Sequence, residues 1–342
     1  MDFRSDNTAG ASPAILAALA SANAGTDSPY GADAVTARLQ SRFAALFEHE
    51  VAVFPVATGT AANALALAAL APPWGAIFCH ENAHVAEDEC GAPEFFSGAK
   101  LVTMSGAAGK ITPEAIAAHM GTRGFVHHAQ PAAISISETT EAGAVYHPEE
   151  IAALGAFARK EGLGLHVDGA RFANAVAALQ CAPADLTWRA GVDALSFGAT
   201  KNGALAAEAV ILFDPAKSEE LGYRRKRGGH LFSKMRFVSA QLEVYVTDDL
   251  WLENARHANR MAARLAAGLE RLPRAQLLFK VDANEVFVVL PEPVLAALDA
   301  AGAKFYRQSG GRAPAIRLVA SFMTREDEVD EFLAVCRRAL AA

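Results

Sequence analysis

Seven short apolar runs, spaced by stretches of helical character, constrain this chain more than any other feature. They are "VAVF", "AIFC", "KLVTM", "AISIS", "LGLHVD", "DALSF" and "AVILF", all between residues 51 and 213. Most of them lack a sustained alternation of polar and apolar residues. Such runs suit strands covered on both faces, and the intervening helical segments suit crossovers that join parallel strands. "TPEAIAAHM" and "HPEEIAALGAFARKEG" open with proline and acidic residues, as crossover helices do. An α/β fold is expected, with a doubly wound, mostly parallel sheet of seven strands.

The flanks read differently. In "SPAILAALASANAG", Ser12 is placed as an N-cap, Pro13 as the first helical residue and Gly25 as a stop. "DAVTARLQSRFAALFE" sets Leu39, Phe43, Leu46 and Phe47 on one helical face. Residues 1–48 thus form an N-terminal helical segment and 49–249 the large domain. After a long helical region over roughly 231–272, the tail mixes strands with helices, so 250–342 is expected as a small α+β domain.

Composition narrows the function. The chain has 342 residues, 52% hydrophobic and 20% charged, as an ordinary soluble protein does. A net charge of −7 argues against a nucleic-acid face, and the basic cluster "YRRKRGGH" reads as readily as a solvated loop. Four cysteines without a CxxC pair fit reduced thiols in the cytoplasm. The start lacks the apolar core of a signal peptide, and "AANALALAALAPPW" is too short to span a membrane.

In open α/β sheets, ligands sit beyond the carboxyl ends of the strands. Asp168 ends one apolar run and Lys201 follows another, so both should face one crevice. In "PVATGTAAN", Gly59 and Thr60 offer N–H groups and a hydroxyl at a helix N-terminus, which suits a phosphate, although a tight strand-to-helix turn would call for glycine anyway. An amine for a Schiff base, a carboxylate for a ring nitrogen and a phosphate cradle are what pyridoxal phosphate requires. His84, after another strand end, is placed to stack on the ring. Taken singly these are a helix cap, a surface lysine and a core histidine; together and in this order they point to the cofactor. A rival lies in "HENAH", a literal H-E-x-x-H, which as a zinc site needs His80 and His84 one turn apart on a helix.

With "RSDN", "YGAD", "TGTAAN", "HVAEDECGAPEFF", "HVDGARFANA", "TKNG", "KMRF" and "IRLV" spread nearly end to end, the chain resembles the low-specificity L-threonine aldolases. These belong to the beta-eliminating lyase family of the aspartate-aminotransferase-like, fold-type I superfamily. Within it the chain is most similar to a bacterial branch that includes phenylserine aldolases. The resemblance implies reversible cleavage of β-hydroxy-α-amino acids to glycine and an aldehyde. It implies Lys201 as the Schiff-base lysine, Asp168 on the pyridine nitrogen, His84 stacked on the ring, and Gly59 with Thr60 on the phosphate. It further implies Ser5, Arg171 and Arg317 on the substrate carboxylate, with Arg171 near the cofactor too, and His128 near the substrate hydroxyl. His84 and His128 both stand as candidates for the base. Tyr30 and Lys226 match positions that complete a neighbouring subunit's site, so a homo-oligomer is implied. The chain departs from the family pattern in "TTEA" after Glu138, in "NGALAAEA" after the lysine, and at Asp88.

Overall fold

The computed structural model describes residues 1–308 and 315–341. All seven apolar runs form strands: β1 Ala52–Val56, β2 Gly75–His80, β3 Lys100–Met104, β4 Gln130–Ser137, β5 Gly164–Gly169, β6 Ala194–Gly198 and β7 Glu208–Leu212. Their spatial order is β1-β7-β6-β5-β4-β2-β3. Strands β3, β2, β4, β5 and β6 pair in parallel, whereas β7 is antiparallel to both β1 and β6. The reversal has a simple cause. Only residues 199–207 join β6 to β7, and a parallel return needs a crossover of about a dozen residues or more.

Helices cover both faces of this sheet. Asp33 caps the helix Ala34–Phe47 by accepting from the Thr36 N–H at 2.8 Å, and Leu39, Phe43 and Phe47 are buried. Phe43 and Phe47 meet Phe197 of β6 edge-on, which locks this helix to the sheet. The helix Gly59–Leu70 is buried at every residue from Ala61 to Ala68. It is therefore apolar all round because it is internal. Among the described residues no helix is long and apolar enough to cross a membrane.

A second sheet follows, β8 Gln276–Leu277, β9 Glu285–Val289, β10 Tyr306–Gln308 and β11 Ala315–Val319, in the antiparallel order β10-β11-β9-β8. Its own core includes Val286, Val288, Ile316, Leu318 and Phe332. The chain start joins it, since Phe3 exchanges backbone hydrogen bonds with Lys304 and Val319 and packs edge-on against Phe332. The expected long helical region is broken into Arg236–Tyr245 and Leu250–Glu270, with Asp248 and Asp249 at positive φ between them. The second helix belongs to both cores, Trp251 and Ala255 to the first and Met261 to Leu269 to the second.

The basic cluster is not a loop. It is the last turn of the helix Ser218–Arg227, whose first turn carries Glu219 and Glu220. Cations at the C-terminus and acids at the N-terminus both complement the helix dipole, and Arg224 pairs with Glu220 one turn back.

Candidate active site

The carboxyl ends of β4, β5 and β6 open into a cleft of about 260 Å³ that is lined by Lys201, Asp168, His84, Arg171, Gly59 and Thr60. Asp168, the penultimate residue of β5, is buried and doubly held. Its Oδ1 accepts from the Ala170 N–H at 3.1 Å, and its Oδ2 accepts from Asn63 Nδ2 at 3.0 Å. The same Asn63 amide donates to Glu89 at 2.7 Å, and Glu89 in turn faces His84 Nδ1 at 2.9 Å. The bond to Glu89 raises the His84 pKa; burial opposes it, and the Asp168 charge adds to the rise. Asp168, Asn63, Glu89 and His84 thus form one connected floor.

Lys201 sits in the short turn Thr200–Asn202 directly after β6. Asn202 Nδ2 donates to the Tyr245 hydroxyl and to the Trp251 carbonyl, both at 2.7 Å. Gly203 adopts φ +116°, and a Cβ there would lie 2.8 Å from the Asn254 amide, so only glycine fits. From the other side Glu208, the first residue of β7, accepts from the Ala199 N–H at 2.9 Å. Burial lifts the Glu208 pKa to about 7, against the pull of Thr200, Ala199 and Lys201.

At the opposite wall Thr58 caps the helix Gly59–Leu70 by accepting from the Ala61 N–H at 3.1 Å. The first N–H groups of a helix have no acceptor within it. Gly59 has no positive φ, and a Cβ on it would meet no atom within 4 Å. The turn itself thus does not require glycine, contrary to the sequence expectation, and the open space beside it fits a phosphate.

Arg171 is buried and each of its three nitrogens faces a carboxylate. Its Nε and Nη2 donate to Asp6 at 2.7 and 3.1 Å, and Nη1 lies 3.4 Å from Glu285. Burial alone would raise the Asp6 pKa, but Arg171 and Lys201 outweigh it and hold Asp6 below the usual carboxylate range. Asn284 also donates to Asp6, at 3.1 Å.

Five expected site residues lie off this cleft. Ser5 is not among its lining residues; its Oγ accepts from the Asn7 N–H at 3.1 Å, and it is Asn7 that reaches the cleft. Arg317 lines an adjoining cavity, its guanidinium 5.4 Å from the Tyr306 ring centroid and its Nε buried without an acceptor among the described residues. Lys226 and Tyr30 are exposed and meet each other, with Nζ 4.5 Å from the ring centroid.

His128 is exposed just before β4 begins, at the end of that strand away from the cleft. Within one chain it does not reach the other site residues. "HENAH" also fails as a metal motif. His80 ends β2, and His84 starts a separate short helix. The His80 ring bonds the Gly106 carbonyl and accepts from the Asn82 N–H.

The family model for beta-eliminating lyases matches residues 2–293. The chain belongs to the beta-eliminating lyase family. It is 44% identical over 341 residues to a low specificity L-threonine aldolase of Pseudomonas sp. (strain NCIMB 10558), covering 99% of this chain and 98% of that protein. A protein of the same name from Pseudomonas aeruginosa is 47% identical over 305 residues, 89% of this chain and 88% of its own. The structure of a Leishmania major threonine aldolase superposes with a TM-score of 0.94 at 30% identity and covers 99% of both chains. In this beta-eliminating lyase, sequence reasoning missed Glu89, Asn63, Asp6 and Glu208. The signal for Asn63 was available: it is the single polar residue among the buried positions of an alanine-rich helix, where an amide must find partners.

Proposed function

We infer that the chain is a pyridoxal-phosphate-dependent lyase that cleaves L-threonine, L-allo-threonine and related β-hydroxy-α-amino acids to glycine and an aldehyde. The observation that carries the reading is Lys201 and Asp168 on one cleft with the open helix N-terminus at Gly59. The cofactor, when bound, would supply the electron sink that delocalises the bonding pair left on Cα. The chain supplies the rest. Gly59 and Thr60 hold the phosphate, Lys201 offers its amine, and Asp168, itself fixed by Asn63, holds a proton on the ring nitrogen. His84 is oriented by Glu89 against the ring face. Arg317, whose buried Nε lacks a partner among the described residues, binds the substrate carboxylate. Arg171 is tied to Asp6 and Glu285, so it orients the cleft wall and meets substrate through whatever donor capacity those carboxylates leave.

A homo-oligomer belongs to the same reading. The Tyr30–Lys226 pair is exposed and outside its own chain's cleft, which suits residues delivered to a neighbouring subunit. The deciding experiment measures glycine release from L-threonine, L-allo-threonine and phenylserine, and reduces the holoenzyme with borohydride. Yellow protein, glycine release and a label on the Lys201 peptide are expected. A colourless protein that neither binds pyridoxal phosphate nor releases glycine breaks the reading.

A further inference from the structure

Breaking the Cα–Cβ bond of a β-hydroxy amino acid requires a proton acceptor at the β-hydroxyl. Neither histidine expected from the sequence supplies it in this chain. His128 lies at the wrong end of β4. His84 is committed elsewhere, since its Nδ1 bonds Glu89 at 2.9 Å and that bond turns the ring to stack on the cofactor.

We propose that Glu141 is this acceptor, a catalytic carboxylate that takes the β-hydroxyl proton as the Cα–Cβ bond breaks. The proposal rests on the aldolase reading above. Among the described residues Glu141 is the one that lines both the cofactor cleft and the adjoining cavity that contains Arg317. An amino acid with its nitrogen at Lys201 and its carboxylate at Arg317 places Cα where the two spaces meet. The β-hydroxyl, two bonds from Cα, then falls beside Glu141.

The turn that projects Glu141 is fixed. Gly143 N–H donates to the Thr140 carbonyl at 2.8 Å, and Thr140 N–H to the Ala144 carbonyl at 2.9 Å. Thr140 Oγ1 donates to the Ala108 carbonyl at 2.8 Å and accepts from the Ala144 N–H at 3.1 Å. The backbone is held while the carboxylate takes no hydrogen bond from the described residues, unlike Glu89, Glu138, Glu208 and Glu285. A positioned carboxylate without a donor suits a group that must accept a proton from substrate.

Its electrostatic surroundings agree. Burial raises the Glu141 pKa and Glu285 of β9 adds to the rise, as does Asp168 of β5. Arg171, at the start of the helix Phe172–Leu179, and Lys201, after β6, pull it down, and His84 also faces it. The net rise makes the ionised form a stronger base than a carboxylate in water. The step balances without a co-reactant. The O–H pair becomes the second C–O bond of the aldehyde, its proton moves to Glu141, and the Cα–Cβ pair stays with Cα. Cα takes up one proton to give glycine, and Glu141 releases one.

The test compares wild-type holoenzyme with Glu141→Gln and Glu141→Asp. Glutamine keeps the shape and removes the base, so threonine cleavage should fall by about 10²- to 10⁴-fold. Exchange of the glycine α-proton in D₂O, followed by NMR, needs no β-hydroxyl and should stay within a few-fold of wild type. The visible absorbance of the bound cofactor should not change. Aspartate should recover part of the cleavage, with a displaced acid limb in the pH profile of kcat/KM. Cleavage by Glu141→Gln within a few-fold of wild type overturns the proposal. Equal loss of cleavage and exchange also overturns it, by showing a merely structural role. A wild-type protein inert toward every β-hydroxy amino acid fails at the aldolase reading itself, and the proposal falls with it.

Discussion

The floor and the wall of the cleft are built in contrasting ways. The floor, Asp168–Asn63–Glu89–His84, hangs on the end of β5, the helix Gly59–Leu70 and the segment that follows β2. Register there fixes geometry, since Asp168 pairs with Ser137 on β4 and Ser196 on β6. The wall is held by one buried arginine that joins three distant parts of the chain. Arg171 and Asp6 are 165 residues apart in sequence, and Asn284 and Asp6 are 278 apart. The floor is therefore complete within the large sheet and its helices, whereas the wall exists only when the chain start and the small sheet have docked. Chemistry on the floor and substrate fit at the wall should respond differently to mutation.

The floor gives the largest expected effect. Asp168→Asn preserves shape and removes the charge proposed to keep the ring nitrogen protonated. Cleavage should slow by several orders of magnitude while thermal unfolding and cofactor binding survive, measured by kinetics and calorimetry. Turnover near wild type with cofactor bound would mean the floor is not where the electron sink is tuned.

At the wall the two arginines should separate. Arg171→Ala leaves Asp6 and Glu285 buried without their cation, so the protein should lose about 3–5 kcal/mol of stability in urea titration. Arg317→Ala removes no such partner. Its stability should stay within about 1 kcal/mol of wild type, while KM rises about 10- to 100-fold, as loss of a charged hydrogen bond implies. Equal stability losses would erase the distinction between a structural and a binding arginine.

The smallest effect tests whether the cleft is complete in one chain. Lys201→Ala and Lys226→Ala, each nearly inactive alone, are mixed under subunit exchange. Partial recovery is expected, because one site in the mixed dimer would combine an intact Lys201 with an intact Lys226. No recovery despite exchange shown by mass spectrometry would return Tyr30 and Lys226 to a surface role.

Most of the seven strands were legible because buried strands show continuous apolar runs. β3 proves to be an edge strand with Lys100 and Thr103 exposed, not one covered on both faces. Of the floor, Asp168 was legible because a strand end marks it. Glu89 was not, since a carboxylate in "HVAEDEC" has no local mark that separates it from Asp88 or Glu87. The Asp6–Arg171–Glu285 cluster was hidden for a different reason. Nothing periodic links residues so far apart, and Ser5 stood beside the residue that mattered. The basic segment 223–230 was misread because its acids, Glu219 and Glu220, lie just upstream, and the helix appears only when both ends are read together. The break at Asp248 and Asp249 has no glycine or proline to announce it.

The antiparallel β7 has one more consequence. Lys201 is anchored upstream by β6 and downstream by β7, with Asn202, Gly203 and Glu208 pinning the nine residues 199–207 between them. Such a mount has no hinge. In the role proposed for Lys201, any excursion of its amine would fall to the four methylenes of the side chain, because the backbone has nowhere to swing. Their rotation is a matter of picoseconds to nanoseconds in an unhindered side chain, so the amine can leave and return faster than any segment of this fold can rearrange.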